Sequence, residues 1–231
     1  MRTRFSKISK IIFLLLVFML AFNVVGAAYP YSSGIDLPFD DVSNHDWFYN
    51  SVVWVYDNDI MNGINETTFD PNGDMTRGML VTVLWRYADR PIPNAGITTF
   101  QDVMHGRWYS DAVAWANENG IVMGHSATFF GVNELVTREQ MYTILYRYMN
   151  FAELTIVLDN EMQLQQFFDE DDISNWALDA MYFMYDAGVM FRHSSLDMSA
   201  RPQETAFRAE IAGAMFFFDK YAVPHSITDG D

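Results

Sequence analysis

Apolar side chains recur along this chain in two helical patterns, and the pair of patterns occurs three times. The first pattern, at i, i+1, i+4, i+5, i+7 and i+8, is Trp47, Phe48, Ser51, Val52, Trp54 and Val55. It returns as Trp108, Tyr109, Ala112, Val113, Trp115 and Ala116, and again as Trp176, Ala177, Ala180, Met181, Phe183 and Met184. That spacing is the stripe of a helix lying on a core, and it predicts a helix beginning at each tryptophan. The second pattern, at i, i+3, i+4 and i+7, is Leu80, Val83, Leu84, Tyr87; then Met141, Ile144, Leu145, Tyr148; then Ile211, Ala214, Met215, Phe218. It predicts a second helix in each copy, beginning around Arg77, Arg138 and Arg208.

The punctuation between the stripes repeats as well. Each copy opens with a phenylalanine eight positions before its tryptophan: Phe39, Phe100 and Phe168. A glycine-rich turn ends the first helix, with Ile60 and Gly63 in copy one, Gly120 and Gly124 around Ile121 in copy two, and Gly188 and Val189 in copy three. Thr76 and Thr137 suit the N-cap position, and Thr137 with Gln140 predicts a capping box. Copy three has Phe207 at the cap and two extra residues in its loop, so it is the divergent one. The copies span 39–88, 100–149 and 168–219. Pro91, Pro93 and Gly96 make the first connection an extended one. The second, Asn150 to Phe167, carries Leu154, Ile156, Val157, Leu158, Met162 and Leu164 and reads as partly helical. A repeated block repeats its surface, so a binding site would be presented up to three times.

Residues 1–28 read as an export signal. Arg2, Arg4, Lys7 and Lys10 precede an apolar run from Ile11 to Phe22, and Gly26, Ala27 and Ala28 offer a cleavage site. The run is short for a spanning helix, so no membrane association is expected once the leader is removed. The whole chain carries a net charge of −16. All four charges of the leader are positive, so the remainder is more acidic still. Such a surface repels nucleic acid and anionic lipid. Cysteine is absent, which excludes disulfides and thiol chemistry. An exported, acidic, cysteine-free chain suits the face of a bacterial cell wall.

Arg77, Arg138 and Arg208 each fall in the first turn of a helix, where a cation loses about 0.3–1 kcal/mol to the helix dipole. Three such placements at one equivalent position call for compensation. Either each arginine pairs with an acidic neighbour and covers apolar surface with its stem, or the guanidinium and the free N–H groups of the helix mouth converge on an external anion. Spacing leaves both open. Asp70-Pro-Asn72-Gly-Asp74 opens like a calcium loop but has Val81 where the closing Glu belongs. The histidines show no helical pair at metal spacing. No phosphate loop, Gly-x-Ser-x-Gly or reactive cysteine is present, so no catalytic residue, metal or cofactor is expected. The tryptophans are mostly core by periodicity, with one or two rings at a groove edge available to stack on sugars.

The ordered series Phe-Asp-Asp-Val (39–42), Phe-Gln-Asp-Val (100–103), Trp-Tyr-Ser-Asp-Ala-Val-Ala-Trp-Ala (108–116), Gly-Ile-Val-Met-Gly (120–124), Met-Thr-Arg (75–77), Val-Thr-Arg-Glu-Gln (136–140) and Phe-Arg-Ala-Glu (207–210) resembles the S-layer homology domain. The resemblance covers nearly the whole chain after the leader. It implies an all-α fold of three helix-loop-helix repeats in one pseudo-threefold unit. It also implies non-catalytic anchoring to the cell wall, through a secondary cell-wall polysaccharide held in grooves between repeats, often by a pyruvylated sugar. By resemblance, Arg77, Arg138 and Arg208 meet the pyruvyl carboxylate, and Gly63 and Gly124 supply backbone donors from the turn. The alternatives are assembly with other surface proteins and, further off, a wall-modifying hydrolase with an unrecognised carboxylate pair. Copy three has Arg192 where the others have Gly63 and Gly124. Copy one has Asp59 in place of Gly120, and Gly78-Met79 in place of Ala-Glu after its arginine. The middle motif is therefore expected to be the most competent.

Overall fold

A computed structural model describes residues 35–94, 96, 98–156, 167–190 and 199–224. The expected leader and Arg192 lie outside the described residues. Six α-helices are found among them: α1 Tyr49–Asp57, α2 Arg77–Tyr87, α3 Ser110–Glu118, α4 Arg138–Phe151, α5 Leu178–Asp186 and α6 Arg208–Tyr221. They form three pairs, one per sequence copy, as the two stripes required. A two-stranded antiparallel ribbon joins them, β1 Leu154–Ile156 with β2 Ala222–Pro224, and Thr155 lies opposite Val223. The connection read as partly helical therefore opens with a strand. The α4 helix stops at Ala152 and Glu153 turns at φ 52°, after which the chain runs alongside the segment that leaves α6.

The first helix of each pair starts two residues beyond its tryptophan, not at it. Trp47, Trp108 and Trp176 therefore escape the buried stripe and stand 49%, 56% and 53% exposed, whereas Trp54 and Trp115 are buried. Each first helix ends in the same turn. The N–H groups of Ile60 and Met61 both donate to Val55 O, those of Ile121 and Val122 to Ala116 O, and those of Val189 and Met190 to Met184 O. The turn needs a left-handed residue, which Gly120 (φ 70°) and Gly188 (φ 71°) supply without strain. Asp59 (φ 53°) supplies it in copy one.

The opening motif is anchored by its acid. The Asp41 carboxylate accepts from the N–H groups of Phe69 and Asp70, Asp102 from Phe130, Gly131 and Val132, and Asp169 from Ala200 and Arg201. This register identifies Phe167, two before Asp169, as the counterpart of Phe39 and Phe100, and all three are buried. Phe168, which spacing had selected, is 79% exposed; one inserted residue before Trp176 misled the count.

Across the copies α1 packs on α6, α2 on α3, and α4 on α5, so each copy touches both others. Aromatic rings bridge them. Tyr87 of copy one meets Tyr148 of copy two edge-on at 5.9 Å, and Trp54 of copy one lies 5.9 Å from Phe216 of copy three. Leu80, Leu84, Leu145, Ile211, Met215 and Phe218 are buried in one continuous core. At about 1.5–3 kcal/mol for each large apolar side chain removed from water, this shared core holds the copies together.

Candidate functional site

The three helix mouths are seams between copies. The N–H groups of Arg77 and Gly78 donate to Glu134 O and Val132 O of copy two. Those of Arg138 and Glu139 donate to Glu204 O and Pro202 O of copy three, and those of Arg208 and Ala209 to Gly73 O and Pro71 O of copy one. The third N–H of each helix is also taken, Met79 by Thr76 Oγ1, Gln140 by Thr137 Oγ1 and Glu210 by Phe207 O. The expectation of free N–H groups at these mouths is corrected. Helix-start donors left unpaired at a buried seam would be costly, and the neighbouring loop satisfies them. The expected capping box at Thr137 is half formed, because the Gln140 side chain turns to Arg77 instead.

The guanidinium groups follow the same seams inward. Arg77, Arg138 and Arg208 are 5%, 2% and 9% exposed. Arg77 donates from Nε to Phe130 O (3.1 Å) and from NH2 to Met123 O (2.8 Å), lying 4.6 Å above the Phe130 ring. Arg208 repeats this on copy one, with Nε to Phe69 O (2.7 Å), NH2 to Asn62 O (2.6 Å) and the Phe69 ring at 4.6 Å. Arg138 Nε donates to Ala200 O at 3.0 Å. Two hydrogen bonds from a charged donor, at about 1.5–3 kcal/mol each, outweigh the dipole penalty. Each arginine is thus first a clasp between copies.

The seams differ in charge. Arg138 is paired with the Glu210 carboxylate, and both side chains are almost wholly inside the protein. Arg77 and Arg208 form no ion pair among the described residues. Burial pushes both of their pKa values down, and more distant acids oppose this: Glu134 and Asp102 for Arg77, Asp70 and Asp41 for Arg208. A second cation stands near each of these two. Arg147 lies close enough to Arg77 to lower its pKa further, and burial lowers Arg147 itself. Arg86, nine positions after Arg77 as Arg147 is after Arg138, shares a groove with Arg208 and donates to Ile60 O at 3.1 Å. The corresponding residue of copy three is Phe217.

The Arg208 seam opens into a groove of about 230 Å³, lined among others by Arg208 of copy three, Asn62, Gly63, Met79 and Arg86 of copy one, and Trp108 of copy two. All three copies build it. Gly63 lies in its wall, in a turn that leaves no room for a side chain on the protein side. A Cβ there would lie 2.4 Å from Asn65 O and 2.6 Å from the Phe39 ring, and at Gly124 one would lie 2.4 Å from the Phe100 ring. The N–H groups of Gly63 and Gly124 have no partner among the described residues. The peptides before them are trans, with Asn62 O and Met123 O turned to the arginines, so their N–H groups point the other way.

Because the clasps run between copies, Gly63 belongs with Arg208, Gly124 with Arg77, and Arg138 with the copy-three loop. The middle motif expected to act as one site is therefore divided between two seams. Sequence reasoning missed Arg86, Arg147 and the residues two after each clasp; the shared offset of Arg86 and Arg147 was the available signal. Among the described residues no helix is long and apolar enough to cross a membrane, and no group of acidic or histidine residues could hold a metal ion.

The S-layer homology domain profile matches residues 38–78 and 103–141, the first two copies. An endoglucanase of Bacillus sp. (strain KSM-635) is 27% identical over 76% of this chain and 18% of its own length. An amylopullulanase of Thermoanaerobacterium thermosulfurigenes is 26% identical over 78% of this chain and 9% of its own. The surface-layer 125 kDa protein of Lysinibacillus sphaericus is 28% identical over 67% of this chain and 12% of its own. The matched region thus spans less than a fifth of the length of these relatives.

Proposed function

We propose that this chain, whose residues 38–78 and 103–141 match the S-layer homology domain, holds a carboxylated cell-wall polysaccharide, a pyruvylated sugar in the first instance, in the grooves between its repeats. The reading treats the three copies as one closed pseudo-threefold ring, supported by the cyclic run of clasps from copy one to two, two to three and three to one. It treats residues 1–28 as the leader that exports the protein to the wall.

The observation that carries the reading is the Arg208 groove, where two guanidinium groups that form no ion pair among the described residues share about 230 Å³ with a half-exposed indole. A sugar carboxylate entering there meets Arg208 and Arg86 in a low-dielectric wall, where a charge-assisted hydrogen bond is strong. The Trp108 face offers the apolar platform against which a pyranose ring packs. Arg77 and Gly124 with Arg147 form the second such site. Arg138 keeps its role as a clasp. No step of bond making or breaking is involved.

Sedimentation with purified walls tests this. The protein is expected to co-sediment with intact walls and to lose retention once secondary polysaccharide is chemically removed. Trp108→Ala, a change at the lip and not in the core, is expected to weaken retention about tenfold, or ~1.4 kcal/mol. Equal retention on stripped walls points instead to protein–protein assembly, and release of reducing sugar would reveal a hydrolase.

A further inference from the structure

The Arg208 groove and the Arg77 seam are built from equivalent positions, but their donors are engaged differently. In the first, Arg86 donates to Ile60 O at 3.1 Å, and Met79 of the same helix brings no donor. In the second, Gln140 stands in the place of Met79 and Arg147 in that of Arg86. The Arg147 guanidinium makes no hydrogen bond or ion pair among the described residues, not even to Ile121 O, the counterpart of Ile60 O. Gln140 accepts from Arg77 through Oε1 at 3.4 Å, which leaves its amide N–H groups without a partner among the described residues. Between the two on α4, the Thr143 hydroxyl is buried and unpartnered, whereas its counterpart Thr82 donates to Gly78 O.

Gln140, Thr143 and Arg147 lie on one face of α4, at i, i+3 and i+7. A long helical side chain points back toward the helix start, so Arg147 reaches toward Gln140 and Arg77. Burial lowers the Arg77 pKa, and the charge of Arg147 lowers it further. Arg86 has no such effect on Arg208. The acids around Arg77 are engaged elsewhere, Glu134 with His125 Nε2 at 2.8 Å and Asp102 with three backbone N–H groups. Two part-buried like charges and an amide therefore gather at one seam, with no acceptor for Arg147 or for the amide N–H groups. Such a cluster is costly until an anion enters it.

We infer that the Arg77 seam is a phosphate site, holding a tetrahedral oxyanion between Arg77 and Arg147 with the Gln140 amide donating to a further oxygen. A carboxylate has two oxygens in one plane and a single charge, which one guanidinium satisfies as a bidentate pair. A phosphate group has three strong acceptor oxygens and up to about two charges near neutral pH. Two adjacent guanidinium groups and an amide match that demand, and the Arg208 groove, with Met79 in place of the amide, does not. The inference rests on the anion-holding reading of the seams and names a different acid for this one, a phosphate group carried by the wall polymer. The two seams then read two acids on one polymer, which supplies avidity and selectivity together.

Indole N–H signals report the two seams separately. Trp108 lines the Arg208 groove. Trp176 precedes α5, which packs on α4, and Ser174 just before it is bonded to the Glu139 carboxylate, next to Gln140. The full chain is titrated with sodium phosphate and, separately, with sodium pyruvate at about pH 8, where phosphate is largely the dianion. Trp176 is expected to respond to phosphate at about tenfold lower concentration than to pyruvate, and Trp108 is expected to show no such preference. Arg147→Met is expected to remove the preference, and Gln140→Met, which copies the first groove, to reduce it to about threefold. Should Arg147→Met not fold, Gln140→Met decides alone. No Trp176 response to phosphate, an equal preference at Trp108, or a preference unchanged by Gln140→Met overturns the inference. Purified wall polysaccharide is expected to displace the phosphate. If it does not while the preference holds, the seam takes free phosphate, and it is the wall-glycan reading that is overturned.

Discussion

The Glu210 carboxylate meets the Arg138 guanidinium in the interior, and each residue belongs to a different copy. Glu210 also accepts from the N–H of Phe207 through Oε2 at 3.3 Å, so it closes its own helix start while it neutralises a neighbour. Removing one partner of such a pair strands a buried charge, at a cost of about 3–5 kcal/mol. Glu210→Ala is expected to lose that much in denaturant unfolding. Glu210→Gln is expected to lose less, because Gln140 shows an amide accepting from the equivalent guanidinium. A loss below about 1 kcal/mol for Glu210→Ala would mean that water reaches the pair.

Gly63 and Gly124 are required for space, not for backbone angle. Neither has a positive φ, yet a Cβ at either would sit within 2.6 Å of three heavy atoms, two of them backbone oxygens. Gly63→Ala and Gly124→Ala are each expected to cost about 1–3 kcal/mol as overpacking. Gly120 is the opposite case, with open space around it but φ 70°, so Gly120→Ala is expected to cost about 1–2 kcal/mol from the left-handed backbone alone. Thermal unfolding of the three variants checks both figures. A free exchange of Gly63 for Ala would show that the turn can move away from Phe39, and with it the wall of the groove.

Helix stripes and capping threonines made the three helix pairs legible in the sequence, because one amphipathic period fixes both the element and its buried face. The tryptophans before those helices were misjudged for the same reason in reverse. Trp47, Trp108 and Trp176 match the stripe numerically but precede the helices, so the period does not apply to them. The arginines were legible as a site and illegible as a geometry. Spacing within a copy says nothing about staggering between copies, and only the staggering puts Arg208 beside Gly63 and Met79. Phe167 was missed through one inserted residue, which the Asp169 hydrogen bonds reveal.

Asp102 makes the seam loop sensitive to acid. Burial alone would raise its pKa, but the N–H groups of Phe130, Val132 and Gly131 favour the charged form and hold it below the usual carboxylate value. A depressed folded-state pKa means that the unfolded chain binds the proton first as pH falls. The stability contributed by Asp102 is thus full above the ordinary carboxylate pKa and is lost as pH drops through the folded value. Asp102→Asn is expected to flatten that part of the stability profile below about pH 4, read by denaturant melts at successive pH values. An unchanged acid limb would assign the loss to other carboxylates.

At the alkaline end the edge-on pair Tyr87 and Tyr148 governs. Burial pushes Tyr148 up to about 12, and burial together with Tyr148 and Asp219 pushes Tyr87 up further. An unfolded phenol titrates near pH 10, so above that pH the unfolded chain has released protons that the folded chain keeps. Stability is then expected to fall as pH rises from about 10 towards 12, with these phenols ionising only on unfolding. Absorbance at ~295 nm followed beside a structural probe checks this. Smooth ionisation of every tyrosine well below the unfolding pH would place Tyr87 and Tyr148 in contact with solvent.

Salt separates contact recognition from long-range attraction. The chain carries a net charge of −16, so an anionic polymer is repelled at a distance and attracted only at the groove arginines. Screening beyond about 8 Å at physiological ionic strength removes most of the repulsion between exposed charges and little of the attraction inside a groove. Wall retention is therefore expected to hold or rise as salt increases from about 0.01 to 0.15 M. Proteins that hold anionic polymers by releasing counterions from many exposed cations behave in the opposite way, losing affinity steeply with salt. A tenfold fall in retention, about 1.4 kcal/mol, over that range would mean that exposed cations carry the binding, and would remove Arg208 and Arg77 from that role.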